Sequence, residues 1–116
     1  MTLSTHVLDA TTGRPAAGLQ VRLERACDDG WAPAGAGMTG PDGRLRLPGD
    51  AAGATTPGGE PGVYRITFDS GAYFTARGAA TFYPEVSVTF EMTEPDEHYH
   101  VPLLLSPFAY STYRGS

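Results

Sequence analysis

Three histidines, one arginine and an unusual last stretch are the residues whose types and placing could do chemistry. His98 and His100 are two apart, so on a strand they share one face, with Tyr99 and Val101 on the other. His6 alternates in the same way with Ser4 and Leu8, opposite Thr5 and Val7. A neutral imidazole can take a proton from water near neutral pH, or hold a metal. Metal binding would need further ligands beside His98 and His100, and Asp96 and Glu97 are the only near carboxylates. A single histidine on a strand is more commonly a surface or hydrogen-bonded residue. Arg44 follows the turn Pro41-Asp42-Gly43 and shares a face with Arg46, while Leu45 and Leu47 point the other way. That pair also suits a solvated edge that discourages strand aggregation. The last stretch closes on Tyr113-Arg114-Gly115-Ser116, where termini are ordinarily small and frayed. It could fold over a site and bring a planar ring, a fixed positive charge, a hydroxyl and a carboxylate.

The elements that must position these groups are strands. Leu19, Val21 and Leu23 alternate with Gln20, Arg22 and Glu24; Tyr64, Ile66 and Phe68 alternate with Arg65, Thr67 and Asp69. Val86, Val88, Phe90 and Met92 alternate with Ser87, Thr89 and Glu91, again at the period of a strand with one wet face. Further strands are expected at 3–9, 31–39, 44–47, 97–105 and 109–114. Turn residues separate them: Thr12-Gly13-Arg14-Pro15, Pro41-Asp42-Gly43, Pro57-Gly58-Gly59 and Pro95-Asp96. About eight strands in so short a chain predict an all-β sandwich or small barrel. Residues 69–78 break the alternation and predict a two-turn helix, with Asp69 or Ser70 as N-cap and Gly78 just after its end. Residues 48–62 read as a surface loop.

Composition bounds the rest. With 116 residues the chain is expected to be a single domain, 1–116. Fifteen glycines and ten prolines disfavour long helices. All eight basic residues are arginine, against 13 acids, for a net charge of −5. That balance argues against an electrostatic grip on nucleic acid or anionic lipid. No apolar stretch approaches the ~18 residues a membrane span needs, and no basic-then-apolar leader opens the sequence, so a soluble cytoplasmic protein is expected. The lone Cys27, beside Asp28 and Asp29, offers neither a disulfide nor an activated thiol.

Several blocks, in order, resemble the transthyretin-related family and, within it, the branch of 5-hydroxyisourate hydrolases. They are Leu3-Ser4-Thr5-His6-Val7-Leu8-Asp9, Gly13-Arg14-Pro15-Ala16, Asp42-Gly43-Arg44 and Phe82-Tyr83-Pro84-Glu85-Val86. His98-Tyr99-His100-Val101-Pro102-Leu103-Leu104, Ser106-Pro107 and Tyr113-Arg114-Gly115-Ser116 complete the series. The resemblance implies a transthyretin-like two-sheet β-sandwich of about eight strands with one short helix. It implies a homotetramer with sites at the dimer–dimer interface, lined by His6, Arg44, His100 and the closing tetrapeptide. The hormone-carrying branch lacks that tetrapeptide and these histidines, so the resemblance points to the enzyme.

The implied reaction is hydrolysis of 5-hydroxyisourate to 2-oxo-4-hydroxy-4-carboxy-5-ureidoimidazoline in urate and purine degradation, without metal or cofactor. Within it, one of His6 and His100 would be the base activating water, and the other would hold or protonate the leaving nitrogen. Arg44 would stabilise the oxyanion or polarise the substrate. Tyr113, Arg114 and Gly115 would bind the flat heterocycle, and Ser116 or its carboxylate would orient the water. A small-molecule carrier and an appended structural sandwich are the rival functions.

Overall fold

A computed structural model describes residues 1–47 and 60–116 of the chain. Among them are nine strands and one helix: β1 (Thr2–Asp9), β2 (Arg14–Pro15), β3 (Gln20–Cys27), β4 (Gly30–Met38), β5 (Arg44–Leu47), β6 (Gly62–Phe68), α1 (Ser70–Thr75), β7 (Val86–Met92), β8 (His98–Ser106) and β9 (Ala109–Thr112). They form two sheets. In one, β1 is flanked by β5 and β2 along one edge and by β8 on the other, with β9 outside β8. The second runs β4-β3-β6-β7. Every pairing is antiparallel except β1 with β8.

The period-two pattern decides which side chains meet between the sheets. Leu3 and Val7 of β1, Leu45 and Leu47 of β5, and Tyr99, Val101, Leu103 and Leu105 of β8 point inward from the first sheet. Val21 and Leu23 of β3, Tyr64, Ile66 and Phe68 of β6, and Val86 and Met92 of β7 meet them from the second. Each side chain so buried contributes about 1.5–3 kcal/mol. Thr5 also points inward and stays satisfied, because its hydroxyl donates to the Val101 carbonyl at 2.6 Å. The opposite face of the first sheet therefore carries Thr2, Ser4, His6, Arg44, Arg46, His98 and His100.

Three local expectations change. The helix is six residues long rather than two full turns, and its N-cap, Asp69, makes no side-chain cap hydrogen bond. Tertiary contacts hold it instead: Tyr73 and Phe74 are buried, and the Tyr73 hydroxyl donates to Asp9 Oδ2 at 3.0 Å. Arg77 lies over the Tyr73 ring, 3.6 Å from its centroid, and donates to the Tyr73 carbonyl at 3.1 Å. The segment Arg14–Pro15, read as turn, adds a two-residue strand paired with Leu8 and Asp9. Strand β3 runs on to Cys27 through a register shift between Leu23 and Glu24, which is where the alternation of the sequence lapses. The loop expected at 48–62 lies outside the described residues as far as 59, and Gly62 already opens β6.

Candidate active site

The outer face of the β1 sheet gathers most of the predicted residues, and strand register is what gathers them. His6 on β1 is the direct partner of Arg44 on β5. The neighbouring rung crosses four segments: Arg46 of β5, Ser4 of β1, His100 of β8 and Gly115 of the tail. Thr2 and His98 pair on the rung beyond. Because residues two apart share a face, His6, Ser4 and Thr2 form one column, with His100 and His98 beside it.

Arg44 is placed by its turn. Gly43 adopts φ +75°, a conformation L side chains rarely take, and its carbonyl accepts the Val7 N–H at 2.9 Å. A Cβ there would come within 2.5 Å of the Val7 carbonyl oxygen. Asp42 Oδ1 accepts the Arg44 N–H at 3.0 Å, so the carboxylate in this turn serves the backbone. Among the described residues neither Arg44 nor Arg46 forms a salt bridge. Both residues are exposed.

The tail lies against His100. The Gly115 N–H donates to the His100 carbonyl at 2.9 Å, continuing the β8–β9 ladder, and Thr112 Oγ1 donates to the Pro102 carbonyl at 2.7 Å. A Cβ on Gly115 would sit 2.5 Å from His100 Cδ2, so only glycine lets the backbone pass this close to the ring. His100 is half-buried. Burial holds its pKa below the usual imidazole value; hydrogen bonding to the Ser4 backbone acts in the opposite direction, and the charges of Arg44, His98 and His6 lower it further. A histidine so placed favours its neutral form, which can accept a proton.

Two hollows open near this face, and His100 lines the smaller of them. A cleft of about 510 Å³ is lined by Ser4, Met38, Asp42, Arg44, Arg46 and His98. A smaller one, about 260 Å³ and mostly apolar, is lined by Phe90, Tyr99, His100, Val101, Tyr113 and Arg114. The predicted residues are thus divided. His6, Arg44 and His100 lie on adjoining rungs, but Arg44 lines the first cleft while His100 borders the second with Tyr113 and Arg114. Arg114 is paired with Glu97 at 3.0 Å and lies over the Tyr99 ring, 5.0 Å from its centroid. Tyr113 is exposed.

Sequence reasoning passed over two members of this face. Ser4 Oγ is 2.8 Å from His100 Nδ1 and 2.9 Å from His98 Nε2, touching both rings at once. Arg46 lines the larger cleft beside Arg44. The signal for Ser4 was its place two residues before His6; its partner could be known only from the parallel β1–β8 register. Among the described residues no group of three or more His, Cys, Asp or Glu side chains could hold a metal ion.

Comparison with known proteins adds to this geometry. A family model described as the HIUase/Transthyretin family matches residues 3–115. A 5-hydroxyisourate hydrolase of Salmonella dublin is 47% identical over 116 residues, covering 98% of this chain and 80% of that one. The structure of Klebsiella pneumoniae 5-hydroxyisourate hydrolase superposes with a TM-score of 0.80 at 34% identity, covering 99% of this chain and 98% of that one. Sea bream transthyretin in complex with thyroxine superposes equally well, with a TM-score of 0.82 at 32% identity over 97% of this chain and 93% of that one. The fold alone therefore does not separate a hydrolase from a carrier.

Proposed function

The chain belongs to the HIUase/Transthyretin family, and we propose that it works there as a hydrolase of 5-hydroxyisourate, with His100, His6 and Arg44 carrying the chemistry. It hydrolyses 5-hydroxyisourate in urate degradation, as its hydrolase relatives are named for doing. The observation that carries the assignment of residues is the adjacency of two rungs: a neutral-leaning imidazole at His100, and the opposed pair His6 and Arg44 beside it. A carrier of a small aromatic ligand has no need of a neutral-leaning imidazole next to guanidinium groups that form no salt bridge among the described residues.

In this reading His100 accepts a proton from the attacking water as the water adds to the ring carbonyl carbon. The carbonyl oxygen gains negative charge in the tetrahedral intermediate, and the Arg44 guanidinium stabilises it. His6 holds or protonates the departing nitrogen, and the carbon–nitrogen bond of the six-membered ring breaks. Arg46, on the rung next to Arg44, adds positive potential toward an oxygen-rich substrate. Tyr113, Arg114 and Gly115 bound the substrate from the tail side, with Ser116 next to them. No step calls on a cofactor.

The face is open in a single chain, with Tyr113 and Leu104 exposed on it or beside it. Excluding bulk water strengthens the electrostatic contacts that stabilise a developing oxyanion. A second copy packed over this face would close the site, consistent with a homotetramer whose sites lie between dimers. Among the described residues no helix is long and apolar enough to cross a membrane, and a cytoplasmic setting is the companion proposal.

The deciding experiment follows the ultraviolet absorbance of freshly generated 5-hydroxyisourate with and without the protein. Accelerated decay is expected, lost by more than ~100-fold in His100→Ala. An unchanged decay with the wild-type protein would overturn the assignment.

A further inference from the structure

We infer that Thr2, His98 and Ser4 form a hydrogen-bonded chain that fixes the tautomer of His100, leaving its Nε2 free of a proton. This rests on His100 as the base, and it assigns work to three residues outside the machinery above.

The chain alternates hydroxyl and imidazole. Thr2 Oγ1 is hydrogen-bonded to His98 Nδ1; Ser4 Oγ is 2.9 Å from His98 Nε2 and 2.8 Å from His100 Nδ1. Parallel pairing builds it, since Thr2 is in register with His98 and Ser4 with His100, each pair two residues along its strand from the other.

Proton counting gives the consequence. A serine hydroxyl has one hydrogen and can donate to one ring nitrogen at a time. Two bare nitrogens facing Ser4 would leave one contact without a proton. The inferred chain has the His98 proton on Nδ1, donated to Thr2, because this arrangement forces a bare Nε2 on His100: His98 Nε2 is then bare and must accept from Ser4. Ser4 then has nothing to give His100, so His100 Nδ1 must carry a proton and donate it to Ser4. The remaining His100 nitrogen, Nε2, is left as the acceptor that a general base needs. An imidazole held in the other tautomer presents N–H to the water and cannot deprotonate it. His98 and Ser4 are thus positioning residues that act on the reaction through His100.

The test reads the tautomer directly. In nitrogen-15 NMR of the full chain, the His100 ring is expected in the Nδ1–H form at neutral pH. His98→Phe keeps a ring at the exposed site but removes the acceptor, freeing Ser4 to donate to His100 Nδ1. Ser4→Ala removes the link itself. Both are expected to shift His100 toward the Nε2–H form and to lower kcat by about 10- to 100-fold with KM little changed. His100 found in the Nε2–H form in the wild type, or an unchanged tautomer in both variants, would overturn the chain even if His100→Ala is inactive. Full activity of His100→Ala would instead overturn the assignment of the base, while a shifted tautomer would still uphold the chain.

Discussion

His6 and Arg44 are direct partners across the β1–β5 ladder, so an imidazole and a guanidinium that forms no salt bridge among the described residues stand side by side on the solvent face of the sheet. The pairing has a functional reading, since one group can serve the leaving nitrogen while the other serves the oxyanion. It also has an electrostatic one, because the Arg44 charge is among those that lower the pKa of His100.

Replacing Arg44 by Gln should therefore do two things. Turnover should fall by ~100-fold or more through loss of oxyanion stabilisation. The acid limb of kcat/KM should also move to higher pH, because His100 loses a repelling charge. A drop in rate with no movement of the limb would confine Arg44 to the oxyanion.

In the wild-type protein the acid limb of kcat/KM should lie below the ordinary imidazole value of about 6.5. Stability has the same origin. In the unfolded chain His100 binds its proton at the ordinary pKa, whereas in the fold it stays neutral to lower pH. Between those two values the unfolded chain holds more protons, so acidification through that window favours unfolding. Urea titrations of wild type and His100→Gln at several pH values should show the variant losing less stability on acidification.

Gly43→Ala should be costly in two measurable ways. Its Cβ would meet the Val7 carbonyl at a residue already in the left-handed region. A loss of about 1–3 kcal/mol is expected by chemical denaturation. Activity should fall as well, because the same turn aims Arg44.

Gly115→Ala separates the tail from the core. The added Cβ collides with the His100 ring, yet the tail contributes no buried hydrophobic side chain. Turnover should drop by up to ~100-fold, the scale of an ångström's misplacement, while the thermal midpoint stays nearly unchanged. A large fall in the midpoint would instead make the tail part of the folding unit.

Tyr73→Phe tests the tether between helix and sheet. It would leave Asp9 Oδ2 without its hydroxyl donor in a buried setting, at a cost of about 1–3 kcal/mol. Burial, then the hydrogen bond to Asp9, raises the Tyr73 pKa above 10.0. The unfolded chain consequently releases this proton first as pH rises, and stability falls from about pH 10 upward. That alkaline loss should be smaller in the phenylalanine variant.

Much of this architecture is legible in residue order. Alternation in 19–24, 64–68 and 86–92 places each side chain on its correct face, because a sheet half-exposed to water leaves no other choice. The Pro41-Asp42-Gly43 turn is equally plain, as its φ demands glycine. The two-residue strand Arg14–Pro15 is not legible, since it exists only through pairing with β1. The same holds for Ser4. A serine among three histidines looks like an ordinary surface residue until the parallel register sets it between two rings. The engagement of Arg114 with Glu97 and Tyr99, rather than with the His6 and Arg44 rung, is also a product of tertiary packing.

The link between Ser4 and His100 joins residues 96 apart in the chain. Closing a loop of that size has an entropic cost that no local turn offsets, and contacts of such separation form late in folding. On the ribosome, β1 must wait with its hydroxyls and His6 unpartnered along the β8 edge until β8 has been made. Within the second sheet, β3 and β4 can already pair as a neighbouring hairpin in the meantime. Catalytic competence would then arrive as a final event of biosynthesis, and no nascent chain short of β8 would hold an assembled site.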